Sequence, residues 1–391
     1  MPLSGIRVLD LGRFVSGPFC GALLADMGAD VIKIEIPDRG DEIRYHGVQV
    51  NGESAYFVGM NRSKRSLTLD LKAAEGKEIF SRLVRQADVV LENFRPDVMR
   101  KLGLHYEALR AVNPRIIYCG ISGFGKDGPY ALRPSFDFIA QGMSGLMSVT
   151  GFPDREPVRV GIPISDSIAA LYAAYGIVLA LVARQRTGEG QEVQISLVDG
   201  VLSLLAFQAD TFFGRGESPE RLGNDHPVSS PYGTYKALDG YINIAPPGDA
   251  MWERLARALG LEHLIRDPRF LTNDLRRENR AEIDRIINKI TANRTMADWI
   301  DDLNKVGVPC GPIYNLAQAF ADPQIRHQEM VLELEQPSGR VKTLGFPLKL
   351  SLTPAALHRP SPQLGQHTEE ILTNLGFSMS DIEAFKSKGI I

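Results

Sequence analysis

Residues 6–35 read IRVLDLGRFVSGPFCGALLADMGADVIKIE, and their pattern decides the fold class. Residues 6–10 form a short aliphatic run of the kind a strand buried on both faces requires. A loop follows over residues 13–18, RFVSGP, and residues 19–28 then read as a helix that stops at a glycine. Residues 29–35 resume with a second aliphatic run ending at Glu35. Strand, helix and strand in this order build a parallel sheet.

The alternation continues outward from this unit. Residues 73–86 (AAEGKEIFSRLVRQ) read as a helix and residues 87–93 (ADVVLEN) as a strand. Residues 114–125 (PRIIYCGISGFG) read as a strand running into a glycine-rich loop. Asp166 heads a long apolar helix, and residues 191–205 (QEVQISLVDGVLSLL) turn from strand to helix. The character changes near residue 220. Residues 232–247 alternate like a hairpin with Asp239 and Gly240 at the turn, and residues 251–260 and 280–293 read as amphipathic helices. Residues 330–350 hold two further strands, and residues 368–389 hold two further helices. The predicted class is α/β, with a large domain over residues 1–220 and a smaller α+β domain over residues 221–325. The pattern alone lets residues 326–391 join either.

Composition excludes several classes. A 391-residue chain is long for one hydrophobic core, which favours two domains. With 44% hydrophobic and 23% charged residues and a net charge of -3, it lacks the basic balance of a nucleic-acid binder. No basic block marks a membrane surface, and the apolar run over residues 167–183 is short for a span, so a buried helix is expected there. Cys20, Cys119 and Cys310 are far apart without CxxC spacing, which suits a reducing cytoplasm and argues against a disulfide framework. No histidine spacing suggests a metal site.

In a parallel sheet, ligands bind where the strands end. Three loops qualify: residues 13–18, the turn after Glu35, and residues 92–96 (ENFRP). Glu35 stands where a dinucleotide fold puts its ribose-binding acid, but the first loop lacks GxGxxG, so a nicotinamide dinucleotide is not expected. Arg39 and Arg44, and then Arg62, Lys64, Arg65 and Lys72, are the basic candidates for a phosphate. Asp166 has two readings: a cap for the helix that follows, or a carboxylate that reacts.

Taken together, residues 2–35, NRSKRSLTLDLK, VLENFRP and VGIPISDSIAALYAAYGI resemble the family III CoA-transferases, also called the CaiB/BaiF family, which includes formyl-CoA transferase. The likeness extends to GNDHPVSSPYGTY, VPCGPIYN and LGQHTEEIL, and so covers nearly the whole chain. It implies a Rossmann-like large domain formed by both chain ends, with residues 326–391 returning to it, an inserted smaller domain, and an interlocked homodimer. It also implies a CoA thioester as substrate, with no prosthetic group, and Asp166 as the nucleophile that carries CoA from an acyl-CoA to a carboxylic acid. Succinyl-CoA, or another small dicarboxylyl-CoA, is the expected donor.

Positions matching family CoA contacts are Val15, Ser16, Leu69, Asp70, Leu71, Lys72, Asn93, Phe94, Arg95, Lys101 and Phe136, while the backbone around GNDHPVSSPYG is the candidate for the acyl side. The sequence departs from the family at two points. A family arginine after the second strand is replaced by Ile36, leaving Arg39 or Arg44 to take its place, and a family tyrosine is replaced by Phe136. Racemases related to this family carry a histidine where Phe136 stands, and phenylalanine exchanges no protons. Racemization and non-catalytic CoA binding are therefore the alternatives, and His226 is read as a structural or substrate-side residue. Arg133 and Arg159 flank the loop as candidate partners for a distal carboxylate.

Overall fold

The computed structural model describes residues 1–391. The chain forms two compact units, one of Met1–Leu146, Arg159–Arg215 and Arg326–Ile391, the other of Met147–Val158 and Gly216–Ile325. Residues 147–158, read from the sequence as part of the first unit, belong to the second.

Six parallel strands make the sheet of the first unit: β1 (Arg7–Asp10), β2 (Asp30–Glu35), β3 (Arg65–Thr68), β4 (Val89–Glu92), β5 (Ile117–Ser122) and β6 (Glu192–Ser196). Their order is β3-β2-β1-β4-β5-β6. Successive side chains of a strand point to opposite faces, and the packing follows that alternation. Val8, Val31, Val89 and Leu91 pack with Cys20, Leu24, Ala173 and Ile177 of two helices on one face. Leu9, Ile32, Leu67 and Val90 pack with Ile79, Phe80, Leu83 and Ile382 on the other. The unit is therefore a helix–sheet–helix sandwich.

The sequence reading missed β3. Its four residues sit inside the basic segment NRSKRSLTLDLK, whose cations read as candidates for a phosphate. The register with β2, Ile32 opposite Arg65 and Ile34 opposite Leu67, makes it an edge strand instead. The C-terminal chain covers that edge. Thr68 N–H donates to the Thr368 hydroxyl at 3.1 Å, and Asp70 N–H donates to the Ile390 carbonyl at 2.8 Å.

The long helix, Ile164–Thr187, is apolar and long enough to cross a membrane by length and composition. Its inner face is nevertheless core. Ala169, Ala170, Ala173, Ile177 and Ala180 are buried, and the four alanines permit close packing on the helix Ser16–Asp26. Its far end is fixed by Arg184, whose guanidinium donates to Asp88 at 2.7 Å.

The second unit holds a three-stranded antiparallel sheet, Gly233–Ala237, Gly240–Ile244 and Cys310–Pro312, with the middle segment central. Ala237 pairs with Gly240, so the turn consists of Leu238 and Asp239, and Gly240 opens the return strand instead of lying in the turn. Trp252, Phe270 and Trp299 centre its core.

Candidate active site

The strand order reverses between β1 and β4, and loops leaving such a pair part to form a crevice. The loop after β1 carries residues 13–18, and the loop after β4 carries Asn93, Phe94 and Arg95. Buried ion pairs hold the first loop from beneath. Lys33 donates to the Gly12 carbonyl and to Asp41, each at 2.8 Å, and Lys64 donates to Asp10 at 2.7 Å and to the Pro18 carbonyl at 2.8 Å. Burial alone would lower the Lys33 pKa, but Asp41, Asp10 and Glu35 raise it, whereas burial prevails at Lys64 and pushes it down to about 8. The loop folds so tightly that a Cβ on Gly12 would sit 2.7 Å from the Gly17 Cα. Phe14 adopts φ 59, a left-handed conformation rare for an aromatic residue, and its N–H donates to Asp41 at 3.2 Å.

Asn93 joins the two loops. Its Oδ1 accepts the Arg13 N–H at 2.8 Å, and its Nδ2 donates to the Arg13 carbonyl at 2.8 Å and to Ser16 Oγ at 3.0 Å. Ser16, in turn, lines the same cleft as Asp166, and its hydroxyl lowers the Asp166 pKa.

Asp166 does not cap the long helix, which corrects the capping expectation. Pro163 occupies the cap position and no side chain caps from within the segment. The free N–H of Ser165 donates instead to Asp137 Oδ1 at 2.9 Å, and the Ser165 hydroxyl donates to the same oxygen at 2.5 Å. Asp137 thus meets the need of the helix end and leaves Asp166, in the first turn, facing the crevice. Burial pushes the Asp166 pKa up to about 7, the charge of Asp137 adds to the rise, and the Ser16 hydroxyl opposes it. Its place in the first turn of the helix therefore does not keep this carboxyl at an ordinary acidic value.

Asp166 lines a cleft of 320 Å³ together with Arg13, Phe14, Ser16, Phe94, Arg133 and Phe136. Arg13, Phe94 and Val98 also line an adjoining groove of 660 Å³, which runs past Ile36 and Arg39 to Leu69, Asp70, Leu71 and Lys72. Most of the sequence-selected positions thus meet along one continuous depression. Arg95 lines the cleft beside Phe94. Val15 is buried at the cap of the first helix, and Lys101 lines neither hollow but pairs with Asp97. Arg159 lines neither of them. His226 lies in the second unit with its ring 4.6 Å from that of Tyr232.

Several basic candidates are corrected. Arg62 is bound to Asp26 at 2.6 Å, Lys64 to Asp10, and Arg65 to Asp30 at 2.6 Å, all in structural pairs. Arg44 clasps Glu35 through two nitrogens, at 2.8 and 2.7 Å, and lies over the Phe57 ring, so it replaces no ligand-binding arginine. Glu35 is correspondingly engaged and is no ribose ligand. Arg39 and Lys72 are the cations left exposed on the groove. No group of three or more His, Cys, Asp or Glu side chains is placed to hold a metal ion.

A family model described as CoA-transferase family III matches residues 3–368. This chain is a member of CoA-transferase family III. It is 42% identical to a succinate–glutarate CoA-transferase of Agrobacterium fabrum over 96% of both chains. It is 40% identical to a succinyl-CoA–D-citramalate CoA-transferase of Chloroflexus aurantiacus, over 100% of this chain and 98% of the relative. Among solved structures, a CaiB/BaiF family protein from Brucella suis superposes with a TM-score of 0.87 at 42% identity, over 96% of this chain and 99% of that one.

In this family III CoA-transferase, Phe14 lines the cleft and Asp137 and Tyr56 stand near Asp166; sequence reading passed over all three. Asp137 stands one residue after Phe136 in RPSFDFIAQ, and an acid there gave the only legible signal. Phe14 meets Phe136 edge to face with centroids 5.9 Å apart. Tyr56 gave no signal at all. Its pKa is pushed up to about 12 by burial and by the charges of Asp166, Asp41 and Asp137, so its hydroxyl stays a hydrogen-bond donor near the acid.

Proposed function

We propose that this CoA-transferase moves CoA from succinyl-CoA to a small dicarboxylic acid of four or five carbons, with Asp166 as the covalent carrier. The observation that carries the reading is the position of Asp166, a half-buried carboxyl beside Ser16 at the head of a depression leading to the cations Arg39 and Lys72. The relatives' substrates, succinate with glutarate and succinyl-CoA with D-citramalate, supply the acid class.

The chemistry is a pair of mirrored exchanges. An ionised Asp166 oxygen attacks the thioester carbonyl, the C–S bond breaks, and CoA leaves as thiolate from a mixed anhydride. The thiolate attacks the aspartyl carbonyl and expels succinate, leaving CoA as a thioester of Asp166. The acceptor carboxylate attacks that thioester and releases thiolate again, which takes the acceptor's acyl group and frees Asp166. Carboxylates are weak nucleophiles, so positioning and oxyanion stabilisation carry the rate. Ser16 lines the cleft beside Asp166 and favours its ionised form.

CoA lies with its thiol end in the 320 Å³ cleft and its phosphates on Arg39 and Lys72 in the groove. Ser16, Phe94, Arg95 and Phe136 line its thiol end, and residues 69–72 its nucleotide end. Arg133, stacked over Tyr130 at 3.7 Å, presents a guanidinium edge to the distal carboxylate of the acid.

The working form is a homodimer in a reducing, cytoplasmic compartment. Leu171, Tyr175, Val178 and Val182 follow helical spacing along one exposed face of the long helix, an apolar stripe that a second copy would cover.

A chromatographic screen of CoA thioesters against carboxylic acids tests the reading. Transfer from succinyl-CoA to glutarate or a four-carbon diacid is expected, with an aspartyl-CoA adduct on Asp166 trapped for mass spectrometry. Exchange of solvent deuterium into an α-carbon without CoA transfer would overturn it in favour of racemization.

A further inference from the structure

Glu92 ends β4 at a position the proposed chemistry does not use, and it is 6% exposed. Its Oε2 accepts the Phe94 N–H at 2.7 Å, and its Oε1 accepts the Tyr118 hydroxyl at 3.1 Å. The carboxyl thus closes a tight turn over its own loop while being pinned from β5. A Cβ on Gly120 would come within 2.8 Å of Oε1, so the neighbouring strand leaves the acid one seat. Both residues downstream work in the crevice. Asn93 clamps Arg13 and Ser16, and Phe94 lines the Asp166 cleft and the adjoining groove alike.

We infer that Glu92 is a positioning residue for the CoA thioester: by holding the Phe94 N–H, it sets the wall at the junction of cleft and groove. The inference rests on those hollows being the CoA site. A buried N–H without its acceptor costs enough to reopen a turn, so loss of Glu92 displaces Phe94 and weakens thioester binding more than it slows chemistry. Burial pushes Glu92 up to about 8, with Glu192 adding to the rise against the two hydrogen bonds. The rise favours the neutral carboxyl, for which glutamine is the match in shape and charge. An amide oxygen can accept from Phe94 while the amide N–H donates to the Tyr118 oxygen.

Two measurements test this. Hydrogen exchange across residues 92–96, followed by mass spectrometry without ligand, reads the turn directly. Protection of the Phe94 amide is expected in the wild type and in E92Q, and its loss in E92L. Steady-state kinetics with succinyl-CoA then read the consequence. E92L should raise KM about tenfold with kcat falling less than about threefold, and E92Q should restore most of the affinity. Should E92L not fold, Y118F replaces it, with KM about threefold higher and kcat kept. Unchanged KM in E92L (or Y118F), a fall in kcat alone, or E92Q as damaging as E92L would overturn the inference. If the wild type handles no CoA thioester, the proposed function fails, while exchange at Phe94 still decides whether Glu92 holds the turn.

Discussion

The carboxylate of Asp137 accepts both the N–H and the hydroxyl of Ser165, at 2.9 and 2.5 Å, and so places a buried negative charge beside the residue that follows. That residue is Asp166, whose pKa burial and this charge lift to about 7. A protonated acid is no nucleophile. kcat/KM should therefore climb about tenfold per pH unit below 7 and level off above it. Asp137→Asn removes the charge, which favours ionisation of Asp166, and moves the limb to lower pH. A limb that stays in place in pH–rate profiles of the variant would contradict the coupling.

Asp166→Asn is expected to abolish transfer while free CoA still binds in calorimetry. The same variant should be more stable than the wild type at pH 8. In the folded chain the acid holds its proton up to about 7, whereas unfolded it ionises near 4. Wild-type stability consequently falls as pH rises through that interval, and the amide avoids the loss, a gain on the order of 2 kcal/mol. Denaturant titration at pH 5 and pH 8 checks the sign.

Ser16→Ala removes the hydroxyl that favours the ionised form of Asp166 and deprives Asn93 Nδ2 of an acceptor. A fall in kcat of about tenfold is expected, equivalent to roughly 1.4 kcal/mol in the barrier. Equal turnover in the variant would show that Asp166 is oriented by other contacts.

Lys33→Met leaves Asp41 buried without its cation and frees the Gly12 carbonyl. Breaking such a pair costs about 3–5 kcal/mol. Adding Asp41→Asn should recover part of that cost, because the uncompensated charge is gone. Urea melts of the single and double variants separate the two terms.

Tyr175→Asp, in the exposed stripe of the long helix, should turn a dimer into monomers in light scattering, with the near-ultraviolet spectrum kept. A monomeric wild type would remove the homodimer from the reading.

The strand–helix–strand unit of residues 6–35 was legible because a parallel strand buried on both faces leaves an aliphatic run, and the runs at β4, β5 and β6 repeated it. β3 was not legible, since its partner strand and not its composition makes it a strand. The same limit applied to charge. Arg44, Arg62, Lys64 and Arg65 look like free cations along the chain, yet each meets a carboxylate 9 to 54 positions away.

The linear order of residues thus determined the layered α/β architecture and the family likeness, because periodicity and motif spacing are local properties; the likeness, not the periodicity, singled out Asp166. Only the folded chain decided that Asp137, not Asp166, serves the helix end, and that Asn93 joins two distant loops beside Asp166. It likewise left Arg39 and Lys72 as the exposed cations of the groove. These outcomes depend on burial and on partners brought close across the switch point, and Coulomb energies and desolvation are set by distance in space, not by separation along the chain.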